Sequence, residues 1–264
     1  MAHAHGVHFE ETLTGFKWLG NRAHAMAADY NVIFAYEEAL GYMFPSISYD
    51  KDGIVAAALF LNAVQYWKSD GHMAGHMTPY EKLDFLYQKY GYHESINTYF
   101  ISPNPSYTRE FFDTIRMCKE TVNIEIRSFK ILRWRDVTNG IEQPMAPHPN
   151  AFTTTLPMDR NSQMLTFHMQ HIPEKGEAED STEDLVTMTV RASGTEPKVK
   201  LYIECRSESQ KVAQSLAGKA FEAVVCMWML EYGKEMKPAS LKIKSSSGIM
   251  HGINADFAWG DTKG

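Results

Sequence analysis

Strict alternation of apolar and polar residues marks the most legible part of the chain. Over residues 185–190, Val186, Met188 and Val190 fall on one face and Thr187 and Thr189 on the other. Over 199–205, Val199, Leu201, Ile203 and Cys205 alternate with Lys200, Tyr202 and Glu204. A period of two predicts half-buried strands. Between them Arg191-Ala192-Ser193-Gly194-Thr195-Glu196-Pro197-Lys198 contains a Gly and a Pro, so it predicts a turn. The period then changes. Val212, Leu216, Ala220, Val224 and Trp228 recur at i, i+4, with Phe221 and Val225 beside them. This predicts an amphipathic helix over 211–230 that packs across the strands.

The same reading runs upstream. Val7-His8-Phe9 is strand-like, and Thr14-Gly15 is a turn before a short helix ending near Ala28. The apolar run 31–35 predicts a buried strand. Asp50-Lys51-Asp52-Gly53 opens a helix over 54–67, with Asp as its cap. A Gly/His/Met loop covers 71–78. Thr78-Pro79 starts a helix through Tyr90, which Gly91 ends. A strand over 95–101, a break at Pro103-Asn104-Pro105 and a helix over 107–117 follow, with Phe111, Phe112 and Ile115 on one helix face. Over 126–136, Phe129 and Ile131 alternate with Lys130, Arg133 and Arg135, which assigns the basic side chains to a solvated face. The span 143–157 is a Pro-rich loop, 161–167 a strand, and 173–184 an acidic surface hairpin. The expected fold is α/β followed by α+β. Residues 1–92 form a partial mixed α/β sheet domain, and 93–235 a C-terminal antiparallel sheet backed by helices. Residues 236–264, rich in Lys, Ser and Gly and carrying Ala258-Trp259-Gly260, are expected as a poorly ordered tail.

Composition narrows the partners. The 264 residues are 44% hydrophobic and 22% charged, ordinary for a soluble globular protein. A net charge of −6 provides no basic field, which argues against nucleic acid or a membrane surface as partner. An anionic ligand would need local positive groups. The cysteines, Cys118, Cys205 and Cys226, fit no metal or redox spacing, and a reducing compartment is the default. The longest apolar run, 54–61, stops at Asn62, short of a membrane span, and the chain opens with no secretory signal pattern. Cytoplasm is the expected location. His3, His5 and His8 are read as part of a mixed-polarity strand, not as a metal site.

Two stretches carry candidate chemistry. The 191–198 turn offers a guanidinium, two hydroxyls, an ammonium and consecutive amides beside a glycine, which is an inventory for a phosphate dianion. A solvated hairpin loop would look the same. Glu37 and Glu38, after a predicted buried strand, stand where ligands gather in α/β sheets, at a strand's carboxyl end. A solvated acidic loop is the alternative. Lys51 opposes the dipole at a helix N-terminus, a small cost when exposed.

The wording R-A-S-G-T-E-P-K-V-K-L-Y-I-E closely resembles the phosphate-binding loop in the last domain of the α-D-phosphohexomutase superfamily, which includes phosphoglucomutases, phosphomannomutases and phosphopentomutases. Glu11-Thr12-Leu13-Thr14-Gly15-Phe16-Lys17-Trp18 resembles a third-domain segment of its eukaryotic members, and would put Lys17 near the mouth of the site. Glu37-Glu38-Ala39-Leu40-Gly41 is similar to the family's sugar-binding loop, with Ala39 where phosphoglucomutases carry Ser, as in the phosphopentomutase branch. Lys51-Asp52-Gly53 matches a K-D-G whose Lys contacts the sugar phosphate. Asn161 to Phe167 is similar to a further segment of that branch.

The resemblance covers residues 10–232 and implies the third and fourth of four domains, the C-terminal half. Arg191, Ser193, Gly194, Thr195 and Lys198 would bind the substrate phosphate, and Glu37, Glu38, Lys51 and Lys17 the sugar. The family's phosphoserine loop (T-A-S-H-N-P type) and magnesium loop (D-G-D-x-D type) do not occur in the sequence. No catalytic residue or metal ligand is therefore assigned. Mg²⁺, a sugar bisphosphate activator and the N-terminal domains would belong to the full-length enzyme, an intramolecular phosphotransferase. The expectation is part of a phosphoglucomutase/phosphopentomutase-type mutase, inactive alone; a non-catalytic phosphosugar-binding module is the alternative.

Overall fold

The computed structural model describes residues 1–38, 40–69, 76–120, 125–126, 128–144, 152–153, 156–173, 185–229, 232–240 and 242–252. Ala39, the 71–75 part of the Gly/His/Met loop, the acidic segment 174–184, most of the Pro-rich span and Ala258-Trp259-Gly260 lie outside them. The chain divides into two compact units, Met1–Tyr90 and Gly91–Gly264.

The first unit carries α1 (Phe16–Met26), β1 (Ala35–Glu37), β2 (Gly41–Met43), α2 (Gly53–Trp67) and α3 (Pro79–Tyr90). Its two strands pair antiparallel, Ala35 opposite Met43 and Glu37 opposite Gly41. Phe16, Ala23 and Met43 form its small core, with Leu19, Val32 and Ala35 packed against it. Helix starts follow local chemistry. Asp52 Oδ1 accepts the N–H groups of Ile54 and Val55, both at 2.9 Å, and caps α2. Thr78 and Glu81 form a reciprocal capping box at α3. Gly91, at φ 89°, closes α3 in the left-handed region.

Three expectations are corrected in this unit. The mixed sheet is, among the described residues, a two-stranded ribbon. The run 31–34 is not a strand and is not buried: Ile33 is 62% exposed, because β1 begins only at Ala35 and pairs with β2 alone. Residues 7–9 are irregular, preceded by a 3₁₀ turn at His3–His5.

The second unit is built on a nine-stranded sheet whose described pairings are all antiparallel. Its strands are β3 (Tyr92–Ile101), β4 (Glu125–Ile126), β5 (Phe129–Asp136), β6 (Ile141–Pro144), β7 (Phe152–Thr153), β8 (Met164–His171), β9 (Leu185–Ala192), β10 (Lys198–Ser207) and β11 (Lys237–Pro238). The order is β11-β3-β10-β9-β8-β5-β6-β7, with β4 paired to β5. Helices α4 (Pro105–Glu120) and α5 (Gln210–Val224), the latter extended by a π-helical turn at Val225–Met229, supply the other half of the core. Phe111, Phe112 and Ile115 of α4, and Leu216, Ala220 and Phe221 of α5, share it with Val186, Met188, Val190, Val199, Leu201 and Ile203. These are the strand positions that period two assigns to the inner face.

Two readings fail here for physical reasons. Arg135 is buried, not solvated. A slip in the β5–β8 register between Ile131 and Arg133 puts Trp134 on the core face with Phe129 and Ile131, while the face read as solvated is covered by β6: Arg135 lies opposite Glu142, to which its Nε donates at 3.1 Å. The stretch expected as a loose tail adds, in its described part, β11 on the edge of β3 and a hairpin of β12 (Lys242–Lys244) and β13 (Met250–Gly252). Met236 and Ile243 are buried under it. Two isolated apolar residues in a polar context show no period, so the sequence pattern conceals them.

Candidate functional site

The 191–198 turn joins β9 to β10. Arg191 lies directly opposite Lys200 on one side and Met164 on the other. Residues opposite each other share a sheet face, so Arg191 and Lys200 stand together on the face turned away from α5. The turn is closed by Ser193 N–H donating to Lys198 O at 2.8 Å and Lys198 N–H donating to Glu196 O at 2.7 Å. It is pinned from outside as well: Ala192 N–H donates to Gln163 O at 2.9 Å, and Ser102 N–H to Pro197 O at 2.8 Å.

What the turn leaves open matters more for its chemistry. The N–H groups of Gly194, Thr195 and Glu196 donate to no described residue. Arg191 Nε is buried and has no partner among the described residues. Gly194 has no positive φ, and a Cβ built on it would meet nothing within 4 Å. Neither backbone conformation nor packing therefore requires a glycine there, while close approach by a ligand would. Three amides without a described acceptor, one unpaired guanidinium nitrogen and open space at Gly194 are the donors that an anion site of this type requires.

Lys198 is not free. Its ammonium donates to Glu196 Oε1 at 2.8 Å and sits 4.5 Å from the centre of the Tyr99 ring. The hydrogen bond from Lys198 holds the Glu196 carboxyl below the usual carboxylate range, and the same bond raises Lys198. An anion bound at the turn would compete with Glu196 for this cation.

In the first unit, Glu37 ends β1 and Glu38 lies in the turn to β2. Glu37 Oε1 is 3.9 Å from Lys51 Nζ, which also lies 5.5 Å from the centre of the Phe16 ring. Lys51, awkward at a helix start, thus has an electrostatic reason to be there. Leu40 holds φ 60° in this turn, a left-handed conformation rare for a non-glycine. Gly41 is needed for space: a Cβ on it would come within 2.2 Å of the Phe16 ring. Glu38 is exposed, and Lys17, on the first turn of α1, places its ammonium 5.7 Å from the centre of the Trp18 ring. The structure brings Glu37 and Lys51 together in this unit, and Arg191, Ser193, Gly194, Thr195 and Lys198 in the other. Period and motif miss Gln163, Ser102 and Tyr99, which hold the second group in place. Their partners lie far off in sequence, and no local pattern marks them.

Magnesium finds no ligand set among the described side chains. Asp52 caps α2, and Asp50 Oδ1 accepts Lys51 N–H at 2.7 Å. Among the described residues no three His, Cys, Asp or Glu side chains gather to hold a metal ion, and no helix is long and apolar enough to cross a membrane.

Comparison with known proteins agrees across both units. Residues 1–90 match the family described as phosphoglucomutase/phosphomannomutase, alpha/beta/alpha domain III, and residues 155–220 the one described as phosphoglucomutase/phosphomannomutase, C-terminal domain. The chain is 40% identical over 220 residues to a phosphoribomutase of Saccharomyces cerevisiae, covering 81% of this chain and 33% of the relative. It is 35% identical to the human phosphopentomutase over 202 residues, 75% of this chain and 29% of that one. Identity to the human glucose 1,6-bisphosphate synthase is 35% over 209 residues, 78% and 30% of the two chains. The chain thus spans about a third of the length of these curated relatives, not half. A crystal structure of pp63/parafusin from Paramecium, a phosphoglucomutase in its open form, matches with a TM-score of 0.52 at 15% identity. It covers 90% of this chain and 37% of that one, and speaks for the fold alone.

Proposed function

Because the chain belongs to the phosphoglucomutase/phosphomannomutase family, carrying its domain III and its C-terminal domain, we propose that it is the substrate-gripping part of a mutase acting on pentose phosphates. The observation that carries this reading is the 191–198 turn, with its three free amides, its unpaired Arg191 Nε and the open space at Gly194. Arg191 holds a phosphate through its planar fork, the Ser193–Thr195 stretch adds hydroxyl and amide donors, and Lys198 leaves Glu196 to join them. In the other unit, Glu37 and Glu38 accept hydrogen bonds from sugar hydroxyls, Lys51 holds Glu37 in place, and Lys17 adds positive charge. Pentose rather than hexose is favoured by the phosphoribomutase and phosphopentomutase among the relatives.

In the whole enzyme, a phosphoryl group moves between two hydroxyls of one sugar phosphate. Such transfer needs a phosphorylatable nucleophile and a cation, with positioning supplying much of the rate. This chain contributes the positioning. We assign the nucleophile and the Mg²⁺ ligands to the N-terminal domains of the same enzyme, in the cytoplasm.

Calorimetric titration of the chain with ribose 5-phosphate and with orthophosphate tests this division of labour. Arg191→Ala is expected to bring both ligands below detection in the chain, since loss of a charge-assisted bidentate contact, about 2–4 kcal/mol in the intact enzyme, is comparable to a whole millimolar affinity. Glu38→Ala is expected to weaken the sugar phosphate and leave orthophosphate unchanged. Equal losses of orthophosphate in both variants would overturn the assignment.

A further inference from the structure

Both external pins of the 191–198 turn lead to helix α4. At its start, Ser102, which donates to Pro197 O, receives a hydrogen bond from Thr108 Oγ1 at 2.7 Å and donates its own hydroxyl to Asn104 O at 3.1 Å. Asn104 Oδ1 in turn accepts Tyr107 N–H at 2.8 Å, within the first turn of α4. Near its end, Arg116 reaches the other pin. Arg116 Nη2 donates to Gln163 Oε1 at 2.7 Å, and the backbone carbonyl of the same Gln163 accepts Ala192 N–H.

The remaining partners of Arg116 fix it firmly. Nε donates to Asp136 Oδ2 at 2.9 Å, Nη1 to Asp113 Oδ1 at 2.9 Å, and Nη2 also to Thr138 Oγ1 at 2.9 Å. The Asp136 side chain is 1% exposed and that of Arg116 14%. Thr138 Oγ1 donates to Ser162 O at 2.8 Å and accepts Met164 N–H at 3.2 Å, while Asp136 Oδ2 accepts from Asn139 Nδ2 at 2.7 Å. One guanidinium therefore ties α4 to the turn after β5 and to the residues that lead into β8. Only Arg carries enough donors in a fixed plane for four such partners.

A buried ion-pair network can serve the fold alone. Here one acceptor also carries the backbone of Ala192, between Arg191 and Ser193. We propose that Arg116 is a positioning residue for the anion loop: acting through Gln163, it holds Ala192 and so aims the Arg191 fork and the Gly194, Thr195 and Glu196 amides at a phosphate. This rests on the anion-binding reading of the loop.

The test uses the full chain with Arg116→Met, Arg116→Lys and Gln163→Leu, the last of which keeps the backbone carbonyl that Ala192 needs. Amide hydrogen exchange is followed at Ala192 and Ser193, and at Leu201 and Ile203 as core references, beside orthophosphate affinity. Protection at Ala192 is expected to fall about tenfold in Arg116→Met and Gln163→Leu, with Leu201 and Ile203 unchanged. Orthophosphate affinity is expected to fall about five- to tenfold with it, and Arg116→Lys to recover part of both. Unchanged Ala192 exchange in Gln163→Leu, or an equal rise at Leu201, would overturn the proposal. Should Arg116→Met not fold, Gln163→Leu decides alone. Absence of orthophosphate binding to the unaltered chain would count against the anion reading, and the exchange comparison would still judge the positioning role.

Discussion

Glu196 holds the Lys198 ammonium at 2.8 Å, so the loop contains its own competitor for that cation. Removing the negative charge should strengthen anion binding. Glu196→Gln is expected to tighten orthophosphate about threefold at low ionic strength, the gain shrinking as salt screens an exposed pair. Calorimetry at two salt concentrations checks it; weaker binding would mean that Glu196 orders the loop more than it competes. At this scale the sequence was informative where chemistry is local. Arg191, Ser193, Gly194, Thr195 and Lys198 lie within one turn, and their types alone specify an anion inventory. Arg116 and Gln163 are 47 positions apart, and nothing near either forecasts their contact. Arg135 departs from the solvated reading because Glu142 of the neighbouring strand β6 covers and pairs with it, and no period forecasts which strand lies alongside.

Among the elements, β9, β10 and α5 were legible because their inner faces are buried almost without exception, so burial follows the period closely. The strap over 236–252 was not, since it is held by specific polar contacts. Glu94, 3% exposed, accepts the Ser247 N–H and the Ser246 hydroxyl, both at 3.0 Å. Burial alone would raise the Glu94 carboxyl, but the Ser247 amide and the Ser245, Ser246 and Ser247 hydroxyls outweigh it and hold it below its ordinary value. The sign follows: a depressed carboxyl contributes stability above its unfolded value, about 4.3, and loses it as pH falls through the folded value. The hairpin is therefore expected to lose hydrogen-exchange protection at Ile243 and Ser246 on acidification, before the sheet does. Glu94→Gln should show that loss at neutral pH, by about 1–3 kcal/mol. Simultaneous loss in hairpin and sheet would mean that the strap is not a separate acid-sensitive element.

At the scale of the molecule, α2 poses the main question. Its fifteen residues carry no charge and none is buried, with Ile54 85%, Leu61 68% and Phe60 53% exposed. A helix apolar all round normally sits in a core, and a large exposed apolar surface marks an interaction site. The chain spans about a third of its relatives' length, and under the proposed function the N-terminal domains of the enzyme are the expected cover for that surface. The chain alone is then expected to bind ribose 5-phosphate only weakly, at about millimolar Kd. It should not interconvert ribose 1- and 5-phosphates, with or without Mg²⁺ and a bisphosphate. Turnover above background in protein free of host mutase would mean that a nucleophile lies within these residues.

The central claim is that the 191–198 turn receives the phosphate. Titrating isotope-labelled chain with ribose 5-phosphate, and following each backbone amide by NMR, tests it most directly. The account predicts that the largest shifts fall on Gly194, Thr195 and Glu196, the three amides without a described acceptor. They should saturate with one dissociation constant and vanish in Arg191→Ala, while Leu201 and Ile203 stay still. Shifts that spare the turn, or persist undiminished in Arg191→Ala, would contradict it.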